Sequence, residues 1–177
     1  MKNIILSILF SFITFILADY CGESKIPSGI EVDQNGRLSL SCTKPSCFKK
    51  SYSDCEERAF KRSCQSETSW VGGITNYAPR IIDGFYLQCC EFEQLPSVSR
   101  VIKENLIVRP GEYYDGEEIL DDIGDELVSF DLISDISKNV FENNTIYYKV
   151  KVVRFYCDKL VKIAKPHNNW PYFDENE

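Results

Sequence analysis

Two adjacent cysteines, Cys89 and Cys90, lie in the stretch YLQCCEFE, whose residues otherwise alternate like those of a β-strand. Neighbouring thiols can hold a metal ion, act as a redox switch or form disulfide bonds. On a strand, consecutive side chains point to opposite faces, so these two cannot readily share one metal ion or bond to each other. We predict two disulfides that leave the strand on its two sides. One would run to Cys157 or an N-terminal cysteine, and the other to the cysteines between Cys21 and Cys64.

The chain has eight cysteines, an even number that predicts four disulfides in an oxidising compartment. Their spacing does not favour zinc, because the first cysteines after residue 40 are separated by four, seven and eight residues and form no C-x-x-C knuckle. Five cysteines precede residue 65, so at least one bond must join the two halves of the chain. The predicted disulfide cysteines are Cys21, Cys42, Cys47, Cys55, Cys64, Cys89, Cys90 and Cys157.

Residues 1–18 have the layout of a secretory signal peptide, with basic Lys2 ahead of a mostly apolar run from Ile4 to Ala18. A membrane anchor is the alternative, but these 15 residues are fewer than the roughly 20 that span a bilayer. We therefore expect cleavage between Ala18 and Asp19. The expected product is secreted to the extracellular space or matrix, without stable membrane insertion.

Residues 19–177 carry 19 basic and 27 acidic side chains, a net charge of −8. Such a surface disfavours nucleic acid and anionic lipid and favours a cationic partner. The single histidine, His167, lies in a polar terminal stretch, which argues against a Ser-His or Cys-His catalytic pair. We expect no enzyme activity, no catalytic residues, no metal and no cofactor.

The acidic stretch of residues 111–126 is the one segment whose composition suits calcium. It lacks the spacing of a calcium loop, and Ile119, Leu120 and Ile123 interrupt it. A solvated loop or surface helix is the favoured interpretation, and calcium binding is left open.

Several segments favour antiparallel strands. The stretch GIEVDQNGRLSL predicts a hairpin whose three-residue loop, 34–36, ends in a left-handed Gly36 and sets Val32 opposite Leu38. Further strands are predicted at 84–95, ended by Pro96, at 101–108 and at 127–133. The strongest is TIYYKVKVVRFYC, in which the apolar positions change phase, so we predict a β-bulge near Val152 and Val153. Residues 41–68 show little periodicity and predict bonded loops, with a short helix around 53–63.

Two kinds of surface feature follow from short motifs. Asn143, in the sequence Asn-Asn-Thr, is a predicted N-glycosylation site. Trp70 precedes the pair Gly72-Gly73 and is interpreted as a packed side chain beside a tight turn, with an exposed binding role as the alternative.

Five stretches together resemble the Warthog proteins, a family of secreted, hedgehog-related nematode proteins. The stretches are CGESKIPSGIEV, CTKPSCF, WVGGI, LQCCEFE, and SFDLISDISKNV leading into IYYKVKVVRFYC. The resemblance covers residues 21–157, although the family's cysteine-rich middle part is usually longer and richer in glycine. Many relatives also carry a C-terminal autoprocessing domain, for which the 20 residues after Cys157 are too few.

The resemblance implies a Wart-like N-terminal module over residues 19–157, followed by an acidic tail over 158–177. We expect a mostly-β, disulfide-bonded single domain of antiparallel strands with a loop-rich N-terminal part, a small α+β arrangement being left open. The family implies either an intercellular signal in development that binds a cell-surface receptor, or a component of the apical extracellular matrix or cuticle. Candidate partner-binding residues are Trp70, Tyr147 and Tyr148, and exposed tyrosines at 113 and 114 would suit matrix cross-linking.

Overall fold

The computed structural model describes residues 17–76 and 84–164, and most of the predicted leader and the end of the chain lie outside these ranges. Antiparallel strands make up most of the described chain, which confirms the mostly-β prediction. The elements in chain order are β1 (Leu17–Tyr20), β2 (Ile26–Val32), β3 (Leu38–Thr43), a 3-10 helix (Lys50–Tyr52), β4 (Asp54–Cys55), β5 (Ser69–Asn76), β6 (Phe85–Glu91), α1 (Leu95–Val98), β7 (Ser99–Val108), β8 (Tyr113–Tyr114), β9 (Glu118–Leu120), β10 (Leu127–Val140), β11 (Ile146–Tyr156) and α2 (Cys157–Ala164).

The strands form three sheets. The first has the order β1-β5-β6-β4, the second β7-β11-β10-β9, and the third β3-β2-β8. The central pair β10-β11 of the second sheet is the longest ladder and joins Ser129 to Tyr156 at one end and Val140 to Ile146 at the other. This long ribbon contributes apolar side chains to both hydrophobic cores.

The first core is built around Leu87, Cys89, Ile133, Tyr148 and Val152, and the second around Trp70, Cys90, Leu132, Val153 and Phe155. Neighbouring residues on one strand therefore enter different cores. Because side chains alternate across a strand, a run of consecutive apolar residues such as Cys89-Cys90 or Val152-Val153 fits a strand that packs on both faces. This explains why the sequence pattern changes phase without the strands ending.

The predicted hairpin is confirmed. Val32 pairs with Leu38 and Ile30 with Leu40, and the Asp33 amide donates to the Arg37 carbonyl at 2.9 Å. Gly36 has φ +79°, a conformation that costs other residues steric strain. The Asp33 carboxylate also accepts the Arg37 amide at 2.9 Å, so the loop is fixed by its own side chain.

The predicted irregularity of β11 is confirmed in position but not in detail. Val152 and Val153 are both buried, which is the phase change seen in the sequence. The additional residues, however, belong to the neighbouring strands: Ser134 on β10, and unmatched positions of β7 between Val101 and Leu106. The extra residues lie around Val152, where β11 passes from the first core to the second.

The strand predicted at 84–95 ends earlier, at Glu91, and that predicted at 101–108 begins earlier, at Ser99. β10 extends past the predicted end at Ile133 to Val140. The predicted helix at 53–63 is wrong. Those residues run along the edge of β6, where the amides of Glu56 and Phe60 donate to the carbonyls of Cys89 and Leu87 at 3.0 and 3.1 Å. Backbone pairing with an exposed strand edge replaces the bonds that a helix would have made.

The first residues of the predicted tail form a helix that packs on the second core. Residues 157–164 form α2, and Leu160 is 9% exposed in the second core. The rest of the predicted tail lies outside the described residues. At the other end, Leu17 and Ala18 of the predicted leader pair with β5.

Candidate functional site

All eight cysteines pair within the chain, as the sequence predicted. The bonds are Cys21–Cys42, Cys47–Cys157, Cys55–Cys90 and Cys64–Cys89. Three of them join the N-terminal part of the chain to β6 or to the start of α2. The two bonds from Cys89 and Cys90 leave β6 into different cores, so the two-sided arrangement is confirmed.

The partners of Cys89 and Cys90 both lie in the segment of residues 44–68, which we name the bonded segment. The alternative that one of them bonds to Cys157 is wrong, because Cys157 bonds to Cys47. Cys55 faces Cys90 directly in the β4-β6 ladder, which explains the choice. The bonded segment is thus fixed to both faces of β6 and, through Cys47, to the start of α2.

A groove of about 870 Å³ lies between the bonded segment and the sheet of β7, β10 and β11. Its lining is mostly polar and includes Arg62, Glu67, Glu104, Lys149 and Lys151. Lys151 Nζ lies 3.3 Å from a Glu104 carboxylate oxygen, so one of these cations is paired with the edge strand. The groove is therefore concave and mostly polar, with side chains of both charges along it.

The wall of the groove is held in place by hydrogen bonds from the bonded segment. Asp135 on β10 accepts the Ser63 hydroxyl at 2.7 Å and the Cys64 amide at 2.8 Å. Arg62 donates to the Phe85 carbonyl at 3.3 Å, and its guanidinium lies 4.2 Å from the centre of the Tyr86 ring. Together with Cys64–Cys89, these contacts make the wall rigid, which lowers the entropy that a partner must remove on binding.

A buried ion pair holds the acidic stretch against the second sheet. Arg154 Nε donates to Asp131 Oδ1 at 2.8 Å, and Arg154 Nη2 donates to Asp131 Oδ2 at 3.2 Å and to Glu117 Oε2 at 2.7 Å. The Tyr114 hydroxyl and the Glu117 amide also donate to Asp131, which is 1% exposed. The hydrogen bonds that Arg154 donates to Asp131 raise the pKa of Arg154, while burial and the hydrogen bond to Asp131 raise the pKa of Tyr114.

The acidic stretch is therefore partly strand and partly turn. Its last turn is capped by Asp121, whose Oδ1 accepts the amides of Gly124 and Asp125 at 2.7 and 2.9 Å. Backbone amides that donate hydrogen bonds to this carboxylate lower the pKa of Asp121. The amide of Glu126 has the largest effect. Among the residues described, no cluster of three or more His, Cys, Asp or Glu side chains is arranged to hold a metal ion.

Two of the three aromatic candidates are not on the surface. Trp70 is 0% exposed in the second core, and Tyr148 is 1% exposed with its hydroxyl donating to the Gly36 carbonyl at 3.0 Å. Their predicted binding role is wrong, because both side chains fill the space between strands, whereas the packed interpretation of Trp70 is confirmed. Tyr147 is half-buried and stacks on Phe141, with ring centres 4.0 Å apart. Of the predicted exposed pair, Tyr113 is 76% exposed, but the Tyr114 hydroxyl is bound to Asp131.

Asn143 lies in the exposed turn between β10 and β11. Its Oδ1 accepts the Thr145 amide at 3.1 Å, and Asn144 has φ +62°, which an asparagine adopts more easily than most residues. The sequon is therefore open to solvent at the end of the longest ribbon.

Lys50 is a charged residue that sequence reasoning missed. It is 4% exposed, and its Nζ donates to the Gly22 carbonyl at 2.9 Å and lies 4.1 Å from the centre of the Tyr20 ring. Burial lowers the pKa of Lys50 from 10.5 to about 8, against an opposing effect of the Glu23 charge. A lysine in a polar loop gives no sequence signal of burial, because the aromatic contacts come from distant residues.

The lowered pKa of Lys50 predicts a pH dependence of stability. The folded chain loses this proton near pH 8 and the unfolded chain near pH 10.5, so the buried charge costs stability at neutral pH. We expect the free energy of unfolding to rise between pH 8 and 9.5, by at most about 1.4 kcal/mol per pH unit from this group. Urea unfolding of wild type and Lys50→Met at pH 7, 8.5 and 9.5 measures it. The variant should lose most of the rise, and an equal rise in both proteins would contradict the assignment.

In the described ranges, no helix is both long and apolar enough to cross a bilayer.

A family model described as the Warthog N-terminal signalling domain matches residues 18–158. Warthog protein 5 and Warthog protein 3 of Caenorhabditis elegans are 37% and 41% identical over 163 and 164 residues, covering 90% of this chain and 89% of each relative. Warthog protein 8 of the same organism is 28% identical over 208 residues, covering 90% of this chain and 35% of that protein. No solved structure matches the chain.

The family match extends over the region that holds both cores, the groove and the four disulfides. The resemblance first seen in five short stretches is therefore confirmed along nearly all of the described residues. The chain belongs to the Warthog family.

Proposed function

We propose that this protein is a secreted, non-enzymatic intercellular signal that diffuses from the producing cell and binds a cell-surface receptor. The observation that carries the proposal is that every cysteine is bonded within the chain. A matrix protein that is polymerised through disulfides needs thiols that pair between chains. Four internal bonds also suit a small domain that must stay folded outside the cell.

The groove beside the bonded segment is the surface at which we place receptor contact. Its cationic residues Lys149 and Lys151 lie on β11, while its wall is fixed by Cys64–Cys89 and Asp135. A receptor segment bound there would gain from a preformed site with charges of both signs. Mutating a charge at the rim of such an interface usually changes the association rate and its salt dependence.

Extraction tests whether the protein diffuses. A tagged full-length chain is expressed in Caenorhabditis elegans, and the extracellular material is extracted with neutral high-salt buffer, then with detergent and reductant. We expect recovery in the first extract as a monomer. Retention through both steps would contradict the diffusible signal.

Receptor contact is tested separately with purified, secreted protein applied to cells of the same animal. Wild type should bind saturably, and Lys149→Glu should bind at least about tenfold more weakly, whereas Lys44→Glu, an exposed charge outside the groove, should bind like wild type. Equal binding of all three proteins would remove the groove from the proposal.

A matrix or cuticle component is the second candidate, and one observation favours it. Tyr113 is 76% exposed on a two-residue strand, where its ring is accessible to oxidative cross-linking. If this candidate is right, high-salt buffer alone should extract little wild-type protein from the matrix. The same buffer should extract much more of the Tyr113→Phe variant, because the variant cannot form the cross-link. If wild type and Tyr113→Phe are extracted equally, a tyrosine cross-link at this position is ruled out.

Glycosylation of Asn143 is a further prediction for the secreted chain. The exposed sequon turn should be modified during secretion, so an N-glycosidase should increase the electrophoretic mobility of wild type. Asn143→Gln should migrate like the deglycosylated protein and be unaffected by the enzyme. Wild type that does not respond to the glycosidase would contradict the prediction.

A further inference from the structure

The turn between β10 and β11 places an aromatic ring beside the sequon. The Phe141 amide donates to the Thr145 carbonyl, and the Asn144 amide donates to the Phe141 carbonyl, both at 2.9 Å. Phe141 and Thr145 therefore close a three-residue loop, 142–144, in the register of the β10-β11 ladder. Because directly paired residues point to the same face of a ribbon, the Phe141 ring and the Thr145 side chain lie on one side of the turn.

The Asn143 side chain is held next to this pair. Its Oδ1 accepts the Thr145 amide at 3.1 Å, which assigns the attachment atom, Nδ2, to the other arm of the side-chain amide. Attachment during secretion joins C1 of N-acetylglucosamine to Nδ2, which gives up one proton, while a lipid-linked pyrophosphate leaves from C1. Oδ1 is unchanged by this step, so the bond to Thr145 can persist. The first sugar is then held close to the Phe141 and Thr145 pair.

The Phe141 ring is covered on the side of the ribbon. It stacks on the Tyr147 ring, with centres 4.0 Å apart and planes inclined by 24°. The Arg109 guanidinium lies 5.8 Å from the centre of the Phe141 ring. Arg109 directly follows β7, whose last residue pairs with Tyr148, so this cation comes from the position beside Tyr147. Among the residues described, both ring contacts thus come from the ribbon, and the half-buried ring keeps its loop side for another group.

We propose that the first N-acetylglucosamine of a glycan on Asn143 stacks on the Phe141 ring and so fixes the end of the β10-β11 ribbon. In the β-linked sugar, the axial hydrogens on C1, C3 and C5 form one apolar face, which suits the electron-rich face of an aromatic ring. Lys149 of the groove lies two residues after Tyr147 and so on the same face. The ordered sugar therefore stands at the end of the groove face. The proposal rests on glycosylation of Asn143 and not on the signalling role, which stands if it fails.

Two glycoforms of the secreted protein provide the test. The protein is produced in cells whose glycans stay at the oligomannose stage. An endoglycosidase trims one portion to a single N-acetylglucosamine, and an N-glycosidase removes the whole glycan from the other and leaves a carboxylate in place of the amide. The single sugar should raise the thermal midpoint of wild type by about 3 °C. In Phe141→Leu the difference between the glycoforms should fall below about 1 °C, because an aliphatic side chain offers no ring face.

Two control variants complete the experiment. Comparing the glycoforms within each variant cancels both the lost stack on Tyr147 and the new carboxylate. Phe141→Tyr keeps the ring and should retain most of the shift. Phe60→Leu, the same change at a residue that is 58% exposed on the bonded segment, should retain all of it.

Nuclear magnetic resonance gives a second readout that does not depend on stability. The sugar protons on C1, C3 and C5 should resonate upfield in wild type relative to Phe141→Leu, because they lie in the ring current. A sugar that raises neither midpoint, a sugar that raises both equally, or unshifted sugar protons would each overturn the proposal. A secreted chain that carries no glycan on Asn143 would overturn it together with the predicted glycosylation.

Discussion

Replacing Cys47 and Cys157 together with alanine is expected to lower the free energy of unfolding by about 4 kcal/mol. The bond closes the longest loop in the chain, with a sequence separation of 110. The Cys55–Cys90 bond shortens the path through the chain to roughly 75 residues, which is still the longest loop that any one bond closes. The loss would be a large share of the roughly 5 to 15 kcal/mol that usually stabilises a domain.

The matched control is the pair Cys21 and Cys42 changed to alanine. This bond has a sequence separation of 21, and Cys21 is 7% exposed against 5% for Cys157, so the two pairs differ mainly in loop length. The control should lose about 3 kcal/mol. Urea unfolding of wild type and the two double variants measures the difference in the free energy of unfolding. The slope of that free energy against urea concentration is compared among the three proteins. A control that loses as much as the Cys47 and Cys157 variant would show that loop length does not set the effect.

Arg154→Met is expected to destabilise the fold by about 3 to 5 kcal/mol. The substitution keeps much of the aliphatic stem but leaves the Asp131 carboxylate, at 1% exposure, without its cation. The Tyr114 hydroxyl and the Glu117 amide would still donate to that carboxylate, and neither carries a positive charge. The acidic stretch should therefore loosen before the rest of the second sheet.

Two further variants separate burial from ion pairing. Lys151 lies on β11, like Arg154, and forms a more exposed ion pair with Glu104 on β7. Lys151→Met breaks this pair and should cost no more than about 1 kcal/mol. The double variant Asp131→Asn with Arg154→Met removes the unpaired charge and should recover part of the loss. Thermal or urea unfolding of wild type and the three variants gives the free energies of unfolding to compare. Similar losses for Lys151→Met and Arg154→Met would contradict a special role for the buried pair.

The local features of this fold could be predicted because the sequence carries them in a short window. The Asn35-Gly36 loop fixed the hairpin register, and the change of phase at Val152 and Val153 marked the irregular point of the ribbon. The conclusion that Cys89 and Cys90 serve opposite faces needed only the alternation of a strand.

The remaining features depend on residues that are distant in the sequence. Asp131 and Arg154 become partners only when the β10-β11 register is known, and a one-residue shift would separate them. Tyr148, and Trp70 as the less favoured alternative, were candidates for binding because aromatic type alone does not distinguish a binding residue from a core residue. The helix predicted at 53–63 failed because the edge of β6 competes for its backbone hydrogen bonds.

Disulfide mapping of the secreted protein tests the central claim that the bonded segment is fixed to both faces of β6. Partial reduction with stepwise alkylation, followed by fragmentation of the linked peptides in a mass spectrometer, can assign Cys89 and Cys90 separately. The structure predicts Cys64–Cys89 and Cys55–Cys90, together with Cys47–Cys157, all within one chain. A Cys89–Cys90 bond, the exchanged pairing, or any bond between chains would contradict it.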